Sequence, residues 1–103
     1  MLHKHIRAKR FWTESILLET LVDRPAYRVE RLVLANGDKF ELFRDDPTQF
    51  TVYCQRGSCN LTDFETALEL EPGDVVGCHA RAIYVQRSSD LCVLVIITES
   101  ATI

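Results

Sequence analysis

A chain of 103 residues, 47% hydrophobic and 26% charged, has the size and composition of one soluble globular domain with a modest core. No apolar run approaches the ~20 residues that a membrane-spanning helix needs, which argues against a membrane partner. The net charge of −3 is unevenly spread: residues 1 to 10 carry Lys4, Arg7, Lys9 and Arg10 and no acid, which leaves −7 on the rest of the chain.

That acidic body would repel a phosphate backbone, so the basic N-terminal arm, residues 1–12, is expected to be a solvated terminus or to lie on the protein's own acidic surface. Nucleic acid is not the expected partner. His3 and His5 form an H-x-H in the arm, but no third donor is placed nearby to complete a metal site. Phe11-Trp12 gives way at once to Thr13-Glu14-Ser15, so the basic start is not followed by the apolar core of a signal peptide. A cytoplasmic location is expected.

Thr13–Val22 reads two ways. Its apolar residues at 17, 18, 21 and 22 have helical spacing and Thr13 is a fitting cap, yet the segment serves equally as a first strand running into Asp23-Arg24-Pro25-Ala26. The fold class therefore allows one short N-terminal helix before an all-β body. Tyr27–Leu34 alternates, with Tyr27, Val29, Arg31 and Val33 on one face. Asn36-Gly37 supplies two positive φ angles, a strong hairpin signal, and predicts Lys39–Arg44 as the returning partner strand. Asp45-Asp46-Pro47-Thr48 predicts a turn.

Phe50–Gln55 is rich in aromatic and β-branched residues, as strands are. Gly57-Ser58 breaks it and Cys59–Thr62 runs back. Asp63–Thr66 is a turn and Ala67–Glu71 a short strand. Glu71-Pro72-Gly73-Asp74 has proline where a turn needs φ preset and glycine where a type II turn needs positive φ. Val75–His79 and Ala82–Arg87 follow as strands around a corner at Ala80-Arg81. Ser88-Ser89-Asp90 turns into Cys92–Thr98, an apolar run expected to be buried on both faces. Short strands between strong turns favour an antiparallel sandwich or barrel.

Cys54, Cys59, Cys78 and Cys92 are separated by 4, 18 and 13 residues, so no C-x2-C zinc pair exists. Without a secretory leader they read as buried thiols rather than as a disulfide framework. A Cys54–Cys59 bridge across Gly57-Ser58 is geometrically open but not favoured. Cys78 and His79 are strand neighbours that point to opposite faces, a poor catalytic dyad.

The order of these signals over residues 27–98, above all "ELEPGDVV" with Gly57 sixteen residues before Gly73, resembles the cupin superfamily. The resemblance implies a single-domain antiparallel β-barrel, a double-stranded β-helix or jelly roll, over residues 1–103. Metal-binding cupins carry G-x5-H-x-H-x(3 or 4)-E-x6-G and G-x5-P-x-G-x2-H-x3-N. With Gly37 and Gly57 in the first motif, the two histidine positions fall on Phe43 and Asp45, or on Arg44 and Asp46 with the shorter gap, and the glutamate position on Phe50. With Gly73 in the second, proline, glycine, histidine and asparagine become His79, Arg81, Tyr84 and Ser88. The glycines are kept and the ligands are not, so the resemblance implies no metal and no other cofactor.

If Phe50 takes an inward ligand position, Val52 and Cys54 face inward with it, and an inward Tyr84 brings Ala82 and Gln86 to the same side. Phe43, Asp45, Phe50, Val52, Cys54, His79, Tyr84 and Gln86 are thus the expected interior site. Apolar walls with a few polar groups suit a small organic ligand, and equally a barrel packed shut. Three functions follow: a metal-free binding module for a small molecule, a metal-independent sugar isomerase or epimerase using Tyr84 with His79, or a structural or regulatory homodimer. Cupin-like domains commonly pair through an outer strand, which makes a homodimer the expected assembly, with Phe11 and Trp12 as interface candidates.

Overall fold

The computed structural model describes residues 9–12, 16–35, 39–63, 65–87 and 91–99. Every regular element among them is a strand: β1 (Lys9–Trp12), β2 (Ile16–Asp23), β3 (Tyr27–Leu34), β4 (Lys39–Arg56), β5 (Cys59–Thr62), β6 (Ala67–Leu70), β7 (Val75–Arg87) and β8 (Cys92–Glu99). All ladders are antiparallel, in the order β1-β2-β3-β8-β4-β7-β5-β6. His3, Lys4, His5, Arg7, the Thr13 cap, the Asn36-Gly37 turn and the Ser88–Asp90 turn lie outside the described residues, as do the side chains of Phe11, Trp12 and Asp45.

The ambiguous early segment is a strand. Leu18 lies opposite Leu32 and packs on the core, while Glu19 lies opposite Arg31 on the other face, a period of two that a helix does not produce. Tyr27–Leu34 and Cys59–Thr62 have the expected bounds. The expected hairpin between Tyr27–Leu34 and Lys39–Arg44 does not form. β8 inserts between β3 and β4 and pairs with both. Its inner residues Cys92, Leu94 and Ile96 have no exposed surface at all, so this strand gains most from a central place in the sheet, and the local turn signal yields to that burial.

Two further boundaries differ from expectation. Lys39–Arg44 and Phe50–Gln55 belong to one 18-residue strand, and Val75–His79 and Ala82–Arg87 to one of 13. The Asp-Asp-Pro stretch is not a chain reversal but a bulge. Phe43 pairs with Ala82 and Thr48 with Ala80, so residues 44–47 all face Arg81. A bulge is where a strand tolerates proline, and the Thr48 hydroxyl donates to the Asp46 carbonyl at 2.9 Å. The long bent pair β4–β7 joins the two parts of the sheet: the later half of β4 lies between β8 and β7, and the later half of β7 lies between β4 and β5.

The turn at Glu71–Asp74 has the expected form. Gly73 has φ +97°, the Asp74 amide donates to the Glu71 carbonyl at 2.9 Å, and the Asp74 carboxylate accepts from the Glu71 amide at 2.8 Å. Two more backbone bonds of 2.9 Å, Gly73 N to Cys54 O and Cys54 N to Asp74 O, tie this turn to the end of β4. Asp63 likewise closes its own turn, accepting from the amides of Glu65 and Thr66.

The core draws on both parts of the sheet: Leu32 and Leu34 of β3, Phe50 and Val52 of β4, Leu61 of β5, Leu70 of β6, Ile83 and Val85 of β7, and Leu94 and Ile96 of β8. β8 is not equally buried on its two faces. Val93, Val95 and Ile97 on the outer side are only half-buried, which corrects the expectation of a strand buried all round.

Candidate functional site

The structure divides the residues expected in the interior. Phe50, Val52 and Cys54 are fully buried in the core, on one face of β4 as their alternation requires. Phe43 is 59% exposed. His79 and Gln86 are exposed, and Tyr84 is half-buried. On the later half of β7 it is Ile83 and Val85 that enter the core, paired with Leu42 and Phe40. Ala82 is buried as well, but Tyr84 and Gln86 face away from Ile83 and Val85, with Tyr84 opposite Glu41 and Thr62.

The reason is a change of parity. In the first half of β7 the inward positions are Val76 and Cys78, paired with Val52 and Phe50. At Arg81 four residues of β4 oppose one of β7, and beyond this bend the inward positions are odd-numbered. Carrying the alternation straight through the corner turns every later side chain to the wrong face. The histidine and tyrosine of the isomerase reading therefore lie on either side of the bend, about five residues or ~16 Å of strand apart, and neither belongs to the core.

A different polar group does face inward. On β3 the buried residues are Glu30, Leu32 and Leu34, the face opposite to Val29, Arg31 and Val33. Glu30 pairs with Ile96, and Ile96 with Val52, so the carboxylate continues a row of fully buried aliphatic side chains. One step along, Arg28 pairs with Thr98 and Thr98 with Phe50. Glu30 and Thr98 are thus diagonal neighbours on the inner face of adjacent strands, a spacing of roughly 7–8 Å between backbones that side chains can close.

Glu30 is 4% and Thr98 8% exposed. Among the described residues, Glu30 Oε1 and Thr98 Oγ1 are the buried side-chain atoms left without a hydrogen bond. Arg44 reaches toward Glu30 from the β4 bulge, with Nη2 3.5 Å from Oε1. That is close enough for charge attraction but too long and misaligned for a hydrogen bond. The guanidinium is instead anchored by its Nη1, which donates to the Phe43 carbonyl at 2.8 Å. Burial pushes the Glu30 carboxyl above its ordinary value. Arg44 and then Arg28 pull it back in part, and Asp23 adds to the rise. Arg28 and Asp23 are themselves paired at 3.5 Å at the exposed strand ends.

The interior is therefore of two kinds. Phe50, Val52, Ile83, Val85, Leu94 and Ile96 have no accessible surface, so no water reaches any of them and this part of the barrel is packed. Residual exposure persists at Glu30, Thr48, Thr98 and Leu42. A carboxylate oxygen and a hydroxyl buried beside the Arg44 guanidinium call for hydrogen-bond partners, and the described residues do not supply them. The missed signal in the sequence is the glutamate of YRVERLVL. Only the pairing with β8 shows which face of that segment is inside.

Among the described residues no group of three histidine, cysteine, aspartate or glutamate side chains is placed to hold a metal ion, and no helix is long and apolar enough to cross a membrane.

No family model matches the chain and no curated protein matches it. Solved structures do. A cupin superfamily protein of Desulfitobacterium hafniense superposes with a TM-score of 0.69 at 18% identity, over 91% of this chain and 83% of that one. An ectoine synthase of P. lautus gives 0.69 at 13%, over 87% and 67%. An HTH_3-family transcriptional regulator of Vibrio cholerae gives 0.73 at 12%, over 84% of this chain, which spans 51% of the regulator's length. At these identities the likeness is one of fold, and the same fold serves an enzyme in one neighbour and a regulator in another.

Proposed function

With an all-β, cupin-like fold as the premise, we propose that this protein is a metal-free binding module that takes a small polar organic molecule at the Glu30–Thr98–Arg44 end of its barrel. The observation that carries this reading is the pair of buried polar atoms without a hydrogen bond on the inner face, Glu30 Oε1 and Thr98 Oγ1. A buried polar atom without a partner costs about 1–3 kcal/mol, a cost that a ligand's own donors and acceptors offset. The Glu30–Thr98–Arg44 group replaces the Phe43–Tyr84 set as the proposed contact surface, above the packed layer that holds Phe50. No cofactor takes part, and the setting is cytoplasmic.

The experiment is a thermal-shift screen of polar metabolites against the protein, repeated on Glu30→Gln and Thr98→Val. The expected result is a set of small hydroxylated or amino compounds that raise Tm for the unaltered protein and fail to do so for either variant. Hits that stabilise all three proteins alike would place binding elsewhere, and a screen without hits would remove the reading.

A homodimer is the proposed assembly, favoured by the outer face of the same sheet. Val29, Val33, Val93, Val95 and Ile97 lie side by side there, half-buried, with Tyr53 in the row of Val95. An apolar sheet face of this kind is what a second copy covers. Sedimentation at increasing concentration tests it, and a monomer throughout would refute it.

A further inference from the structure

The polar end of the barrel is built from four strands. Leu18 packs on the core, so Thr20 shares the inner face of β2 with it and lies directly opposite Glu30 of β3. Thr98 of β8 is the diagonal neighbour of Glu30, and Arg44 comes from the β4 bulge. Glu30 and Thr98 are 4% and 8% exposed, and neither Glu30 Oε1 nor Thr98 Oγ1 has a hydrogen bond. Arg44 Nη2 stands 3.5 Å from Glu30 Oε1. Among the described residues the hydrogen bond of this guanidinium runs from Nη1 to the Phe43 carbonyl, which leaves the Nη2 protons uncommitted.

Glu30 and Arg44 thus present opposite charges side by side without bonding to each other. An amine alone would set a cation against Arg44, and a carboxylate alone would set an anion against Glu30. A molecule that carries both charges meets both groups. The count of protons points the same way: a ligand hydroxyl has one proton to share between Oε1 and Oγ1, whereas an ammonium has three. The separation limits the molecule further. Charge-assisted hydrogen bonds run to about 2.7–2.9 Å, so with Oε1 and Nη2 3.5 Å apart the ligand's ammonium and carboxylate must be close neighbours, as they are on a single carbon. The other polar groups nearby are engaged. Arg28 is paired with Asp23, and the Thr48 hydroxyl donates to the Asp46 carbonyl. Phe50, Val52 and Ile96 beneath have no exposed surface, so the barrel offers no deep pocket for a long side chain.

We infer, resting on the binding-module reading above, that the ligand is a small α-amino acid taken as its zwitterion, with its ammonium on Glu30 Oε1 and Thr98 Oγ1 and its carboxylate on Arg44 Nη2. Recognition falls on the two charged groups that every such molecule shares, and the side chain adds little. The arriving ammonium favours the ionised Glu30 carboxylate and so offsets the burial that raises this carboxyl.

The test is calorimetric titration of the protein at neutral pH with L-alanine, L-serine, L-alaninamide, L-lactate, γ-aminobutyrate and glycerol. Alaninamide keeps the ammonium and lacks the carboxylate. Lactate has a hydroxyl where alanine has its ammonium, and γ-aminobutyrate holds the two charges apart. Alanine and serine are expected to bind about tenfold or more tighter than each of the others, since every mismatch loses a charged hydrogen bond. Arg44→Gln is expected to erase the preference for alanine over alaninamide, and Glu30→Gln the preference for alanine over lactate. Each preference is a ratio within one protein, which a general loss of stability does not move. Should a variant fail to fold, the order of affinities in the unaltered protein decides. Lactate or glycerol that binds as tightly as alanine, and is lost in Glu30→Gln or Thr98→Val, overturns the amino-acid inference while the binding-module reading stands. Preferences that both Gln variants retain overturn it as well. Failure of every probe also overturns it, and the wider screen then decides the broader reading by itself.

Discussion

The two faces of the β2–β3–β8 sheet each bury one glutamate, and the two are treated in opposite ways. Glu19, on the outer face, is met directly across the ladder by Arg31, whose Nη2 and Nε donate to a single carboxylate oxygen at 2.6 and 3.2 Å. Glu30, on the inner face, has Arg44 3.5 Å away with no hydrogen bond and a carboxyl raised by burial. Burial of a carboxylate is common to both, so burial does not mark a functional group. The unmet valence does: a structural ion pair closes on itself, and a binding group is left open for something else.

The largest change sharpens what the inner face rests on. Phe50→Ala removes a fully buried ring under Thr98 and is expected to cost about 3–5 kcal/mol in denaturant unfolding. A loss below about 1 kcal/mol would mean that this end of the barrel is not packed. Next come the two arginines. Arg31→Ala leaves Glu19 buried with its direct partner gone, for a loss of about 2 kcal/mol, discounted because the Arg31 side chain is partly exposed. Arg44→Ala is expected to cost about 1 kcal/mol, since Glu30 is not hydrogen-bonded to it and answers by keeping its proton to higher pH. Equal losses in the two variants would erase the contrast.

The pH dependence is the third comparison. The Glu30 carboxyl lies above its ordinary 4.5 in the folded protein, so over the interval above that value the folded state holds a proton that the unfolded chain has released. Stability contributed at this group is therefore present below pH 4.5 and declines as pH rises toward the raised value. Glu30→Gln removes the decline, so its stability relative to the unaltered protein rises with pH over that window. A parallel pair of stability curves would show that Glu30 ionises as an ordinary carboxylate. The smallest effect is expected at Phe43→Ala. This ring is 59% exposed, and its loss should change stability by less than about 0.5 kcal/mol and leave ligand-induced Tm shifts unaltered.

What was legible follows from how local each feature is. The Glu71–Asp74 turn needs only its proline and glycine, and Gly73 adopts the positive φ that the dipeptide predicts. Tyr27–Leu34 and Cys59–Thr62 announce themselves by composition and flanking turns, and their bounds hold. The interior list was half legible. Phe50, Val52 and Cys54 lie on an uninterrupted run of alternation, but Tyr84 lies beyond a bend at which four residues face one, and the parity of β7 changes there. Glu30 was hidden for a related reason: YRVERLVL has aliphatic residues on both faces, and alternation alone does not say which faces the core.

The amino-acid sequence by itself thus determined a β-rich chain, the turns at Asp63–Thr66 and Glu71–Asp74, the bounds of Tyr27–Leu34 and Cys59–Thr62, and the likeness to a cupin, because these depend on backbone preferences within a few residues. Tertiary structure alone decided the strand order, with β8 between β3 and β4, the choice of inner face and the burial of Glu30 beside Thr98 without a hydrogen bond to its Oε1. These depend on which distant strands compete for burial, and that competition is settled only when the whole sheet closes around one core.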